Sequence, residues 1–156
     1  LTHHNKVESI GLILNHATSI NLNEILTKIP VKDLPVYIGG PVGKNSLQFI
    51  HTLGKKIPNA IKIFNGLYWG GDFEEVIKLM NNQKISKNDI RFFAGYSGWE
   101  EQQLENEISN GGWIIKDATK EECMSYSKDD LWSNIMKTQS QEYAIWANLP
   151  KNPNLN

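Results

Sequence analysis

Short apolar runs alternate along the chain with stretches of helical spacing, which is typical of a domain that mixes strands and helices. Six apolar runs bounded by polar residues or glycines are predicted to be strands. They cover residues 10–14, 36–38, 47–51, 60–64, 90–94 and 113–115. The second strand must end at Gly39, Gly40 and Pro41, because a sheet ladder does not continue through such a triplet.

Apolar residues recur at helical spacing in four further stretches, at residues 21–28, 72–81, 100–109 and 129–138. Asp72 with Glu75 predicts a capping-box start for the second helix, and Asn110 with two glycines predicts the end of the third. Asn65-Gly66 predicts a tight hairpin in which both central residues need positive φ. These elements predict an α+β (mixed α/β) fold in one domain over residues 1–150, with a frayed tail at 151–156.

Composition places the chain among soluble globular proteins. Its 156 residues are 40% hydrophobic and 21% charged, with a formal net charge of -1 and one cysteine. No apolar run approaches the ~20 residues of a membrane span, so we expect a cytoplasmic protein with no membrane partner. A single cysteine excludes an internal disulfide framework. The chain begins without Met or a signal peptide, which indicates a fragment or a renumbered chain.

The basic residues are almost all lysines: of 16 basic side chains, the only arginine is Arg91. Because arginine is the usual residue for bidentate base readout, sequence-specific DNA binding is disfavoured. Residues 34–71 nevertheless hold four lysines and no carboxylate, interleaved with aromatic residues. These lysines are Lys44, Lys55, Lys56 and Lys62. Weak binding of single-stranded nucleic acid is therefore an alternative, against a merely solvated surface.

Three segments together resemble a known family. They are His4-Asn5 followed by IGLILN at 10–15, YIGGPV at 37–42, and RFFAGYSGW at 91–99 leading to QLENEI at 103–108 and Trp113. In this order, over nearly the whole chain, they resemble the YqgE/AlgH family of bacterial proteins. The resemblance implies a bifurcated, mostly antiparallel sheet curled into a partial barrel with flanking helices. It also implies about thirty further residues upstream of Leu1.

The resemblance does not supply a reaction: the family has no established one, and one branch carries the label of a transcriptional regulator. The residues that match the family pattern concentrate in predicted loops, which carry function disproportionately. The candidate binding residues are Gly39, Gly40, Pro41, Trp69, Gly95, Tyr96, Gly98, Trp99 and Gln103. If the glycine-rich loops meet at one end of the sheet, aromatic residues would line one depression there. These are Tyr37, Tyr68, Trp69, Tyr96 and Trp99. The alternative is that the double glycines serve tight turns and close backbone approach.

Catalytic chemistry finds little support. Ser97 lies between a predicted strand and helix, but a nucleophile elbow needs Gly where Trp99 stands, and Ser97 equally suits a helix cap. The glycine loops lack the spacing of a phosphate loop or a dinucleotide site, which excludes a kinase and a nicotinamide oxidoreductase. Acidic neighbours are expected to raise the pKa of Cys123. Glu107, close to inward-facing apolar residues, is interpreted as a capping or packing residue.

Metal binding is likewise not predicted. His3 and His4 are adjacent and would point to opposite faces of a strand, and His16 and His51 are isolated in sequence. We therefore predict no catalytic residue, cofactor or metal. The favoured function is a non-enzymatic binding or interaction module with a protein or small-molecule partner, in an oligomeric state left open. The alternatives are a transcriptional regulator that touches nucleic acid through its lysines, and an enzyme of unrecognised class.

Overall fold

The computed structural model describes residues 1–26, 29, 33–126, 131–139 and 145. The chain divides into two units, Leu1–Ser125 and Tyr126–Asn156. The first unit contains eight strands among its described residues. They are β1 His3–His4, β2 Glu8–Gly11, β3 Ala17–Asn21, β4 Pro35–Ile38, β5 Val42–His51, β6 Ile61–Phe64, β7 Leu67–Trp69 and β8 Ile90–Glu100. Its helices are α1 Leu22–Ile25, α2 Phe73–Asn81, α3 Gln103–Ser109 and α4 Lys120–Met124, with a 3-10 turn at Gly54–Lys56. The second unit contains α5, Leu131–Gln139.

The long strand β8 organises the sheet, whose order is β1-β2-β8-β5-β7-β6. Antiparallel β5 follows β8 from Ile90 to Tyr96. On the other side, β4 pairs in parallel with residues 92–94 and β2 pairs antiparallel with residues 97–100. The sheet therefore divides into two branches near Gly95, as the predicted bifurcation requires.

Two strands extend further than predicted. β8 does not stop at residue 94 but runs on through the Gly-Tyr-Ser-Gly-Trp segment, because Gly95 takes φ +68° and lets the strand bend without ending. The expectation that Ser97 lies between a strand and a helix is thus wrong, and α3 begins at Gln103 rather than at residue 100. β5 likewise begins five residues before its predicted start, at Val42.

Two other strand predictions need correction. The strand predicted at 10–14 begins at Glu8 and ends at Gly11, since residues 12–14 leave the sheet. Residues 113–115 form no strand at all. Trp113, Ile114 and Ile115 are 48%, 43% and 64% exposed, so their apolar composition does not reflect pairing inside the sheet.

Turn and cap predictions are largely confirmed. The Asn65-Gly66 hairpin joins β6 to β7, but only Gly66 has positive φ (83°), so the predicted turn type is wrong. Asp72 caps α2 by accepting a hydrogen bond from the Glu75 backbone N–H at 3.2 Å, whereas the Glu75 carboxylate contacts Lys78. The end of α3 at Asn110 is as predicted, with Gly111 at φ +74°.

Parts of the remaining predictions lie outside the described residues. Helix α1 covers Leu22–Ile25, and residues 27 and 28 of the predicted stretch are outside. Helix α5 agrees with the prediction for 129–138, of which residues 129 and 130 are outside. The tail at 151–156 is outside as well, and the single domain over residues 1–150 stays a prediction.

The main core of the first unit lies where β4, β5 and β8 pack against α2. Its buried residues include Val36, Phe49, Phe92, Val76 and Met80. The buried ring of His51 adjoins this core: its Nε2 lies 3.1 Å from the Gly70 carbonyl oxygen, and its Nδ1 accepts from the Leu53 N–H at 3.2 Å. A ring that donates at one nitrogen and accepts at the other is neutral.

No helix among the described residues is long and apolar enough to cross a membrane.

Candidate functional site

The first glycine pair packs directly against the bend in β8. The Gly39 N–H donates to the Ala94 carbonyl, and the Gly39 carbonyl accepts from the Ile13 N–H, each at 2.9 Å. A Cβ added at Gly39 would lie 2.2 Å from the Gly95 carbonyl oxygen, and one at Gly40 would lie 2.2 Å from the Tyr96 carbonyl carbon. These glycines therefore permit backbone-to-backbone contact between the two branches of the sheet.

The second glycine pair lies elsewhere. Trp69 donates its indole N–H to the Gln48 side-chain oxygen at 3.2 Å, and a Cβ at Gly71 would lie 2.7 Å from Cγ2 of Ile57. Tyr37 is fully buried, and Tyr68 stacks on the His51 ring at 5.6 Å. The expected single aromatic depression is therefore not formed.

The other candidate binding residues differ in exposure and contacts. Pro41 and Gly98 are exposed, and Tyr96 is half-buried in β8. The Gln103 side chain donates to the Glu107 carboxylate and accepts from the Glu100 N–H at the end of β8. Of the nine candidate binding residues, Trp99 alone lines an apolar cleft formed by the described residues. Whether the other eight take part in binding stays a prediction.

This apolar cleft has a volume of about 680 Å³ and lies within the first unit. Its walls come from the segment after β2, the β6–β7 hairpin, the end of β8, the start of α3 and residues 113–118. The apolar wall residues include Leu12, Ile13, Leu14, Ile50, Ile63, Phe64, Leu67, Trp99, Leu104, Ile114, Ile115 and Cys123. Ligand pockets commonly measure about 300–1,000 Å³ and are lined mainly by apolar side chains.

Ser97 and Cys123, the two side chains weighed as nucleophiles from the sequence, both line the cleft. Ser97 pairs with Gly11 in the sheet, so it does not cap a helix, and its hydroxyl makes a long 3.5 Å hydrogen bond to the Gly39 carbonyl. Burial raises the pKa of the Cys123 thiol, and the nearby Glu122 and Glu121 carboxylates add to the effect. The raised pKa agrees with the expectation from sequence, but burial contributes more to it than the acidic neighbours do.

Glu107 joins two tryptophans at the rim of the cleft. One carboxylate oxygen accepts from the indole N–H of Trp113 at 2.7 Å and of Trp99 at 3.0 Å, and the other accepts from Gln103 at 3.0 Å. These donors, Trp113 first, lower the pKa of Glu107. The two indole rings meet edge to face at 5.7 Å. Glu107 thus has the predicted packing role. Its carboxylate joins side chains of the strand, the helix and the following segment, and it does not cap the start of a helix.

Arg91 holds two walls of the cleft together. Its buried guanidinium donates to the Leu14 carbonyl at 2.7 Å and to the Cys123 carbonyl at 2.6 Å. The same group lies over the Tyr37 ring, 4.3 Å from its centroid, and 5.3 Å from that of Phe93. Sequence reasoning missed this role, although a lone arginine inside an apolar strand was a signal for it.

The histidines and lysines do not assemble into a further site. On β1, His4 Nδ1 bonds the Ser9 hydroxyl at 2.8 Å and His3 Nε2 lies 2.9 Å from the Asn5 side-chain nitrogen. Within the described ranges, no group of three His, Cys, Asp or Glu side chains has the spacing of a metal site.

The four candidate lysines are divided between different parts of the sheet. Lys55 and Lys56 lie in the 3-10 turn after β5. Lys62, on β6, lies opposite Tyr68 of β7. Lys44 lies near the other end of β5. Lys44 is therefore separated from the other three lysines along β5, whereas Lys55 and Lys62 both lie beside Tyr68.

Comparison with known proteins places this chain in a family. The profile of the AlgH-like family matches residues 1–144. A UPF0301 protein of Chlorobium limicola is 40% identical over 153 residues, covering 98% of this chain and 82% of the relative. A UPF0301 protein of Bacteroides fragilis is 36% identical over 157 residues, covering 100% of this chain and 80% of the relative.

Two solved structures share the fold. The AlgH protein from Pseudomonas aeruginosa matches with a TM-score of 0.74 at 21% identity, over 96% of this chain and 82% of that protein. A crystal structure from Corynebacterium diphtheriae also has a TM-score of 0.74, at 23% identity, over 94% and 79%. The predicted mixed α/β fold, a mostly antiparallel sheet curled into a partial barrel with flanking helices, is confirmed. From the profile match and the close relatives, the chain belongs to the AlgH-like family.

Proposed function

We propose that this protein is a binding module that takes a small molecule with an apolar body into the apolar cleft. The observation that carries the proposal is the cleft itself: about 680 Å³ of space with mainly aliphatic and aromatic walls. A few polar groups at its surface, among them Ser97, Asn15 and Lys116, can orient a ligand that carries a polar end.

A binding role suits the chemistry of the cleft better than a catalytic one. The Cys123 thiol is held protonated by burial, so the thiolate that attacks substrates is disfavoured. The hydrogen bond of the Ser97 hydroxyl goes to the Gly39 carbonyl, an acceptor that cannot take its proton during a reaction. We therefore propose binding without covalent chemistry at these two residues.

The test is a titration with 1-anilinonaphthalene-8-sulfonate, a fluorescent probe with an apolar body and one anionic group. We expect saturable binding at one site per chain. Binding is measured from the fluorescence of the directly excited probe. Ile63→Trp fills the cleft and should weaken binding about tenfold or more, equivalent to at least about 1.4 kcal/mol.

The matched control is Ile61→Trp, the same substitution on the same strand at a residue that is 45% exposed and does not line the cleft. It should leave binding unchanged. Because this probe also binds partly unfolded chains, each variant must first show the near-UV circular dichroism of the wild type. Equal binding by both tryptophan variants would contradict the proposal.

A further inference from the structure

One wall of the apolar cleft is built differently from the rest. Residues 112–119, here called the lid, connect α3 to α4 without forming a helix or strand. Between described residues, the backbone of 113–118 makes no hydrogen bond to another backbone group. Ile114 and Ile115 line the cleft on one side and are 43% and 64% exposed on the other. A segment with few buried contacts and no backbone ladder opens at low free-energy cost.

Side chains hold the lid at two points. At its beginning, the Trp113 indole donates to Glu107 at 2.7 Å and packs edge to face on Trp99, which belongs to the rigid strand β8. Towards its end, the Lys116 ammonium contacts the Glu122 carboxylate at the start of α4. Both contacts join the lid to regular elements, so losing either one frees the lid without removing anything from the main core.

We propose that residues 112–119 are a movable lid over the apolar cleft, held closed by the Trp113–Glu107 and Lys116–Glu122 contacts, and that its opening admits the ligand. The entry of a ligand rests on the proposed function, but the movement of the lid can be tested without any ligand. The ligand class remains that of the cleft: a molecule with an apolar body small enough to pass under an eight-residue segment.

Cys123 provides the measurement, since its thiol lines the cleft, is 7% exposed, and is the single cysteine of the chain. The rate at which it reacts with 5,5′-dithiobis(2-nitrobenzoate) reports how often the cleft opens. We expect Trp113→Phe, which keeps a ring but removes the donor N–H, to speed the reaction about tenfold. Glu107→Ala and Lys116→Met should act in the same direction.

Two controls separate lid opening from other effects. Glu105→Ala alters a carboxylate on the same helix that lies 3.8 Å from His4 instead of contacting the lid, and it should leave the rate unchanged. Val76→Ala removes buried apolar volume from α2 and lowers global stability without touching the lid. A rate increase in Val76→Ala as large as in Trp113→Phe would show that the thiol reacts through global unfolding, which would overturn the lid.

Limited proteolysis gives a second readout. Trypsin cleavage after Lys116, followed by mass, should be about tenfold faster in Trp113→Phe than in wild type, because a protease must draw the segment away from the cleft. Unchanged thiol reactivity in all three variants, with unchanged cleavage in Trp113→Phe, would overturn the inference. If the lid opens as described but the wild type binds no probe molecule, the proposed function fails while the movable lid stands.

Discussion

Replacing Gly40 with alanine tests whether the glycine-rich turn is a packing device. Gly40 does not have positive φ, so an alanine there faces no left-handed strain. Its added Cβ would instead lie 2.2 Å from the Tyr96 carbonyl carbon and 2.3 Å from the Ser97 nitrogen. Carbon atoms pack at about 3.5–4.0 Å, so the turn must move more than about 1 Å away from β8.

The energetic cost follows from what that movement breaks. The two backbone hydrogen bonds of Gly39, to Ala94 and from Ile13, each contribute about 1 kcal/mol. Overpacking against backbone costs about 1–3 kcal/mol more. We therefore expect Gly40→Ala to lower the free energy of unfolding by about 3–5 kcal/mol, a large share of the roughly 5–15 kcal/mol of a typical domain.

Urea denaturation followed by circular dichroism measures this loss. The matched control is Gly70→Ala: Gly70 has φ +63° with no atom within 4 Å of the added Cβ, so only left-handed strain of about 1–2 kcal/mol applies. If Gly40→Ala cost less than Gly70→Ala, the packing argument would be refuted.

Three further predictions concern charged and titratable groups. Arg91→Lys keeps the charge but cannot span both carbonyls, so urea denaturation should show a loss of about 2–4 kcal/mol; a loss under about 1 kcal/mol would contradict the bracing role. Burial lowers the pKa of His51 below its usual 6.5. As the pH falls, His51 therefore takes up a proton in the unfolded chain before it does so in the folded one. The free energy of unfolding should decrease as the pH drops below about 6.5, and this decrease should be smaller in His51→Gln. Equal pH slopes in wild type and variant would contradict the prediction. Finally, we expect negligible oligonucleotide binding even at low salt, so the double variant Lys55→Gln with Lys56→Gln should bind no differently from wild type. Tight, salt-dependent binding that is lost in the double variant would favour the regulator alternative.

Local patterns predicted the elements whose partners lie close in sequence. The Asp72 cap, the Asn65-Gly66 hairpin and the end of α3 at Asn110 depend on neighbours a few residues away, and all three occur. The extent of β8 was not predictable in this way. Glycines at 95 and 98 usually end a strand, and only pairing with β2, over eighty residues earlier, extends it to Glu100.

The candidate site depended even more on distant contacts. The apolar composition of residues 113–115 indicates a strand, yet these residues pair with no strand and instead line a cleft, a difference that a short apolar run does not encode. Arg91 finds its carbonyl partners 77 and 32 residues away, at Leu14 and Cys123. No spacing rule brings such segments together. Sequence reasoning therefore pointed to the loops that match the family pattern, whereas the cleft is formed mostly by apolar residues outside them.

The most direct test of the proposed binding site is a methyl NMR titration of the isoleucine-labelled protein with 1-anilinonaphthalene-8-sulfonate. Binding in the apolar cleft predicts shift changes at Ile63, Ile114 and Ile115, which line it. Ile20 and Ile25, which are exposed outside the cleft, should not change. Changes confined to Ile20 and Ile25, or an absence of change at every isoleucine methyl up to saturating probe, would contradict the account.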